Sequence, residues 1–385
     1  MISYGKQSIN NSDIESVLEV LQSDWLTQGP IVEKFEDDLK NYFGTKYACV
    51  VSSGTAALHL VGLALGWSKN DIILTSPITF LATANSIVYT GATPDFVDID
   101  PISYTIDISL LEKKILSYKK KKKVVKAIIG VDYAGHPCDW KKLREIANKY
   151  DLQLINDNCH ALGSEYYNSK KYALEYADIV TQSYHPVKHI TTGEGGSILT
   201  NNKSIDYKVR LLRTHGILKE KDKIKHNGPW YYEMHEIGYN YRITDFQCAL
   251  GISQLKRLDE FVNKRIDIAT RYNNLFLQNE LFTIPFINKH VKHSYHLYPL
   301  KINFSKCNIS KKELFLKLSK KDIYLQVHYI PITMQPFYIK NYNIEPSDYL
   351  NSNQFYDSVL SLPIYNNLTI NQQNYVFNNI LKLVS

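Results

Sequence analysis

Four short stretches hold residues whose types and spacing could do chemistry. The most informative is SYHPVKHITTGEGG, residues 183–196, centred on Lys188. Here a lysine lies among aromatic and apolar residues, after an apolar run and before a glycine-rich turn. Burial disfavours an ammonium, and a nearby cationic imine would disfavour it further. The neutral amine that results is a nucleophile able to form a Schiff base. The glycines let the chain double back beneath a bound ligand. A lysine on the solvated surface would have no such neighbours.

The second stretch is Asn156-Asp157-Asn158-Cys159-His160, at the end of the apolar run LQLI. A carboxylate at the end of a buried strand is costly unless something pairs with it. A protonated pyridine nitrogen would be such a partner, and a helix N-cap is the competing use of Asp157. The third is Ser52-Ser53-Gly54-Thr55-Ala56-Ala57, which runs straight into a helical pattern. Small residues admit a ligand close to the backbone, and amides at a helix N-terminus favour an anion. Gly54, Thr55 and Ala56 could therefore cup a phosphate, although an ordinary strand-to-helix turn has the same composition. The fourth, Pro77-Ile78-Thr79-Phe80, offers a ring that could lie on a heteroaromatic ligand or pack into the core. The polar turn from Gly238 to Asp245 reads as a loop and cap before the helical FQCALGISQL.

Elements must hold these stretches together. From about residue 45, short apolar runs (ACVVSS, IILTSP, PDFVDI, VKAIIGVDY, LQLIND) alternate with amphipathic segments. CDWKKLREIANKY, for example, puts Leu143, Ile146 and Ala147 on one helical face. The alternation predicts an α/β fold with a mostly parallel, doubly wound sheet. Ligands of such sheets bind at the carboxyl ends of the strands, and all four stretches follow an apolar run. After about residue 255 the pattern changes to a long helix over 256–280, strand-like YHLYPLKINF, a helix around ELFLKLSKK, strand-like IYLQVHYI and a closing helix. We expect a large domain over 1–255 and a smaller α+β domain over 256–385.

Composition narrows the function classes. A chain of 385 residues, 44% hydrophobic and 22% charged, can bury a sizeable interior and lacks the signature of disorder. No apolar run approaches the roughly 20 residues of a membrane span, and MISYGKQSIN lacks a signal-peptide core, so a cytosolic location is expected. The five cysteines are odd in number and show no CxxC pairing, which suggests neither a disulfide framework nor a zinc site. The net charge of +7 suits phosphate-bearing ligands as well as nucleic acid. Its densest part, the lysine run 119–123, lies between an amphipathic segment and an apolar one and reads as a solvated loop. No aromatic interleaving or helix-turn-helix pattern points to DNA.

In combination, GTAALHL, Asp157 with His160, SYHPVKHITTGEGG, GYNYRITDFQCALG and WLTQGPIVEKFEDDL resemble the DegT/StrS-type sugar aminotransferases of pyridoxal-phosphate fold type I. The likeness runs from about residue 4 to the C-terminus. VDYAGHPCDW, NCHALGSEY, HPVKHITTGEGG and IYLQVHYIPI are most similar to the members of pseudaminic acid biosynthesis. The resemblance implies pyridoxal 5'-phosphate as cofactor, L-glutamate as amino donor and a UDP-linked 4-keto-6-deoxy-N-acetylhexosamine as acceptor. It implies that Lys188 anchors the cofactor and shuttles the proton, and that Asp157 pairs with the pyridine nitrogen. It further implies His160 near the phenolic oxygen, Phe80 on the ring, and Ser183 with Gly54, Thr55 and Ala56 on the phosphate. Asn240 would reach the cofactor of a second subunit, making a homodimer with shared sites. Tyr4, Asp24, Trp25, Leu26, Thr27, His185, Gln326, Val327, His328 and Tyr329 would border the sugar nucleotide. Many relatives carry Glu-Asp-Ala-Ala where this chain has Asn156-Asp157-Asn158-Cys159, which keeps the aspartate and changes its neighbours. Another nucleotide keto-sugar is the competing substrate class. Relatives that act as sugar dehydratases replace the lysine with histidine, so Lys188 argues against that reaction. A non-enzymatic regulator has only the net charge in its favour.

Overall fold

The computed structural model describes residues 1–384. A seven-stranded sheet forms its centre. The strands are β1 (Tyr47–Val51), β2 (Ile72–Thr75), β3 (Thr93–Phe96), β4 (Val125–Val131), β5 (Gln153–Asp157), β6 (Ile179–Ser183) and β7 (Gly196–Thr200). Their order across the sheet is β3-β2-β4-β5-β6-β7-β1. β7 runs antiparallel to both neighbours, and every other pairing is parallel. Runs such as IILT and AIIGV are buried along their length, as expected of a sheet covered by helices on both faces. The sequence reading did not contain β7. Ser183 pairs with Gly196, so the chain leaves β6, makes a loop and returns alongside it. Gly193, at φ +82°, takes the left-handed backbone that this return requires. Lys188 sits on that loop.

Helices used below are α1 (Pro30–Phe43), α2 (Gly54–Ala64), α3 (Leu81–Tyr89), α4 (Trp140–Tyr150), α5 (Lys203–Arg213), α6 (Asp245–Leu255), α7 (Leu258–Phe276) and α8 (Ile370–Val384). α4 buries Leu143, Ile146 and Ala147, the face read from its periodicity. α6 starts with a capping box between Thr244 and Gln247, so the turn before FQCALGISQL does end in a cap. The lysine run divides: Lys119 and Lys120 finish the helix Ile108–Lys120, and the rest makes the exposed turn before β4.

A second core lies on the three-stranded antiparallel sheet of Phe282–Thr283, Tyr298–Ile302 and Val359–Leu362. Ile2 packs into this second core, and Ile2–Ser3 pairs with Ile323–Tyr324. α7 serves both cores. Its Leu258, Phe261 and Val262 join the large one, while Ile268, Ala269, Tyr272 and Phe276 join the small one. Between them Arg265, 2% exposed, donates to the carbonyls of Tyr295, His296 and Ile364. The strand expected over IYLQVHYI is shorter than its alternation suggests: only Ile323–Tyr324 is regular. Beyond it Gln326 bridges to Ser361 of the three-stranded sheet, and side-chain bonds then set the path of the backbone. Tyr133 donates to the His328 carbonyl at 2.6 Å, and His328 Nδ1 lies 2.8 Å from Ser361 Oγ. Among the described residues no helix is long and apolar enough to cross a membrane.

Glu36 of α1 ties three elements together. Its carboxylate accepts the Val50 amide of β1 at 3.0 Å and pairs with Arg210 and Arg213 of α5 at 2.7 and 2.9 Å. Removing one partner of a buried ion pair strands the other, at a cost of about 3–5 kcal/mol. Arg210 is about one-third exposed, which places Glu36→Ala at the lower end, about 3 kcal/mol. Urea denaturation should show this as a lower midpoint with an unchanged slope.

Candidate active site

A cleft of about 640 Å³ opens at the carboxyl ends of β1, β2, β5 and β6. Gly54, Thr55, Phe80, Asp157, His160, Ser183, His185 and Lys188 line it from the large core. Tyr4, Gln326, Val327, His328 and Tyr329 line it from the other side. Residues scattered over 326 positions of sequence thus meet in one place because each follows a strand or crosses between the cores.

The Lys188 side chain has no hydrogen bond or salt bridge among the described residues. Desolvation holds its ammonium below the ordinary lysine range, against the opposing pull of Cys159 and Asp157. Asp157 is 5% exposed. Its Oδ1 accepts the Cys159 amide at 3.2 Å, and its Oδ2 accepts the Thr83 hydroxyl at 2.7 Å. No helix follows β5 directly, so Asp157 does not serve as an N-cap. Phe80 is 55% exposed, which sets it apart from the core ring that its type suggests. Its ring centre lies 6.0 Å from that of Tyr329 across the cleft.

Ser53 caps α2 by accepting the Ala56 amide at 3.0 Å. The amides of Gly54 and Thr55 are left without intrahelical acceptors. A Cβ on Gly54 would fall 2.8 Å from Ser183 Cβ, so only glycine lets the helix start approach Ser183 this closely. Ala56 is buried behind the rim and outside the cleft lining.

His160 is held on both nitrogens. The Ala134 amide donates to Nδ1 at 3.4 Å, and the Tyr329 hydroxyl lies 3.0 Å from Nε2. With Nδ1 accepting, the neutral ring carries its proton on Nε2. Burial, then the charge of Lys188, keeps its pKa well below the histidine range.

Five expected residues stand apart from the cleft of their own chain. Asp24, Trp25, Leu26 and Thr27 are exposed, as is Asn240. The two segments lie beside each other: Thr27 bridges to Thr244, and Leu26 accepts the Asp245 amide at 2.9 Å. The cleft also holds residues to which the sequence reading gave no role, among them Thr79, Thr83, Val131, Cys159, Glu194 and His296. Neither the threonines that bracket Phe80 nor His296 carried a sequence signal for the cleft.

Comparison with known proteins places this arrangement. The model of the DegT/DnrJ/EryC1/StrS aminotransferase family matches residues 7–381. The chain belongs to this family. It is 39% identical over 384 residues to the UDP-4-amino-4,6-dideoxy-N-acetyl-beta-L-altrosamine transaminase of Campylobacter jejuni, covering 100% of this chain and 98% of the other. Helicobacter pylori PseC, an aminotransferase involved in the biosynthesis of pseudoaminic acid, superposes with a TM-score of 0.89 at 35% identity, covering 100% and 99% of the two chains. The sugar aminotransferase Spr1654 of Streptococcus pneumoniae in its PMP-form gives a TM-score of 0.90 at 27% identity, again over 100% and 99%. The expected α/β fold, the aminotransferase activity on sugars and the cofactor pyridoxal 5'-phosphate all follow. The residues present fit that cofactor. An unpaired, desolvated lysine, a buried carboxylate, an exposed aromatic ring and a helix start with free amides share one cleft of suitable volume.

Six buried histidines pack around this family member's cleft and behind it: His136, His160, His189, His293, His296 and His328. Burial depresses all six, His136 to about 4 and His328 to about 3. Their folded pKa values lie below the unfolded value near 6.5. The unfolded chain therefore binds more protons below that pH, and stability is lost as pH falls toward 4. Asp132 acts oppositely, since burial pushes it up to about 6 and its contribution is lost as pH rises through that value. One carboxyl does not offset six imidazoles. Thermal melts should therefore show Tm falling from about pH 7 to pH 5, most steeply below about 6.5.

Proposed function

We propose that the chain moves the amino group of L-glutamate onto a UDP-linked 4-keto-6-deoxy-N-acetylhexosamine, giving a UDP-4-amino-4,6-dideoxy sugar for pseudaminic acid biosynthesis. The observation that carries this reading is Lys188, desolvated and unpaired, in one cleft with Asp157 and Phe80. The choice of sugar is supported by the C. jejuni relative's name and by its full-length match.

In this reading Lys188 is the covalent anchor of the cofactor and Asp157 pairs with its pyridine nitrogen. Phe80 covers the ring, and His160 lies toward the phenolic oxygen. Ser183, with the helix start at Gly54, Thr55 and Ala56, receives the phosphate. Bound there, pyridoxal phosphate supplies an electron sink for the carbon that loses its proton. Lys188 Nζ takes the α-proton of the amino donor in one half of the reaction. It delivers a proton to the former carbonyl carbon of the sugar in the other. The neutral amine takes up a proton and, as the ammonium so formed, gives one up, and desolvation of Lys188 brings the two forms closer in energy. Tyr4, His185, Gln326, Val327, His328 and Tyr329 border the sugar nucleotide. We further propose a homodimer in which Asp24, Trp25, Leu26, Thr27 and Asn240 complete the site of the second copy. The 57% exposure of Trp25 and its neighbourhood to the Asn240 segment support this. Residues 1–255 would form the cofactor domain and 256–385 the smaller one.

Lys188→Ala should abolish turnover and the visible absorbance of bound cofactor; a fully active variant would overturn the assignment. Asp157→Asn should keep some cofactor and lose most of the rate in steady-state assays. Offered epimeric UDP-4-keto sugars with glutamate, the enzyme should aminate one strongly at C4, read by NMR of the product. Amination at another carbon would move the chain to a different branch of the family.

A further inference from the structure

The segment after β2 carries two threonines that the reaction scheme does not use. Thr79 and Thr83 flank Phe80 and are 3% and 1% exposed. Thr83 Oγ1 donates to Asp157 Oδ2 at 2.7 Å, and Thr79 Oγ1 lies 2.7 Å from Thr83 Oγ1. An ionised carboxylate only accepts, and a hydroxyl has one hydrogen to give. Thr83 spends its hydrogen on Asp157, so Thr79 is the donor to Thr83. The donors run in one direction, from Thr79 to Thr83 to the carboxylate. Neither hydroxyl caps α3, whose N-cap is Phe80 with no side-chain bond.

We propose that Thr83 is a positioning residue for Asp157, with Thr79 ordering its hydroxyl. This rests on the reading of Asp157 as partner of the cofactor's pyridine nitrogen. Oδ1 is held by the Cys159 amide and Oδ2 by Thr83, so the carboxylate plane is fixed from both ends. Donors to a carboxylate stabilise its charged form. With the cofactor bound, the anionic Asp157 would keep the shared proton on the pyridine nitrogen. The first turn of α3 adds its positive end to the same side. Phe80 belongs to the same segment, so the ring's face and its nitrogen edge are addressed by one rigid stretch of chain.

Thr83→Val removes the hydroxyl at nearly constant shape, and Thr83→Ser keeps it. Three quantities decide: the dissociation constant of pyridoxal phosphate by absorbance titration, the rate of the absorbance change on mixing loaded enzyme with glutamate, and the glutamate KM. Thermal melts of each variant check that it is folded, and Asp157→Ala is measured alongside. Thr83→Val should weaken cofactor binding and slow the glutamate half-reaction, each by about tenfold or more, with KM little changed. Thr79→Val should act in the same direction and less, and Thr83→Ser should recover most of the loss. Equal loss in Thr83→Ser would assign the effect to methyl packing and overturn the proposal. So would an unchanged Thr83→Val beside a crippled Asp157→Ala, which leaves the reading of Asp157 intact. An indifferent Asp157→Ala would instead bring down that reading itself.

Discussion

An amine and a carboxylate share one desolvated cleft, and neither is spent on a salt bridge. The rest of the architecture follows from keeping them so. A lysine beside an aspartate in water would pair with it, and both would lose their chemical use. Here each is delivered by a different strand end. Asp157 is pinned by donors from its own turn and from α3, while Lys188 is left with none. His160, His189, His296 and His328, whose pKa values burial holds down, lie around the amine and offer it no negative charge. The arrangement costs stability, as unpaired buried polar groups do, and the two cores around it offset that cost.

Much of this was legible in the sequence because the chemistry-bearing types are rare in their settings. A lysine in an aromatic, glycine-flanked string and an aspartate closing an apolar run have few ordinary explanations. The parallel sheet was legible from the alternation of strands and helices. Three features were not. β7 is a single short apolar run, SILT, whose direction depends on the preceding turn and not on its own pattern. IYLQVHYI alternates like a strand, yet after Ile323–Tyr324 only Gln326 makes a bridge, to Ser361, and the His328 carbonyl is taken by Tyr133. Thr79 and Thr83 look like routine residues of a strand-to-helix turn, and only the distance to Asp157 distinguishes them.

The residues expected at the sugar nucleotide divide by geometry. Those on 326–329 and Tyr4 reach the cleft from within the chain, since the N-terminal strand and the irregular segment both cross between the cores. Those on 24–27 lie instead on an exposed face, beside Asn240, which was expected at the cofactor of a second subunit. Their polar and aromatic types do not tell which residues reach the cleft of their own chain, and only the fold separates the two groups.

α7 gives the molecule a property that neither core has alone. Its first half is embedded in one hydrophobic cluster and its second half in the other, with Arg265 bonded to three carbonyls at the crossing. Pulling the two lobes apart would therefore expose Phe261 if the helix stayed with the small lobe, and Phe276 and Arg265 if it stayed with the large one. The helix acts as a common spine of the two lobes. A cut at 255, although it falls where the sequence pattern changes, would yield fragments that each lack part of their interior. Any opening of the cleft has to pivot around this helix and leave it whole.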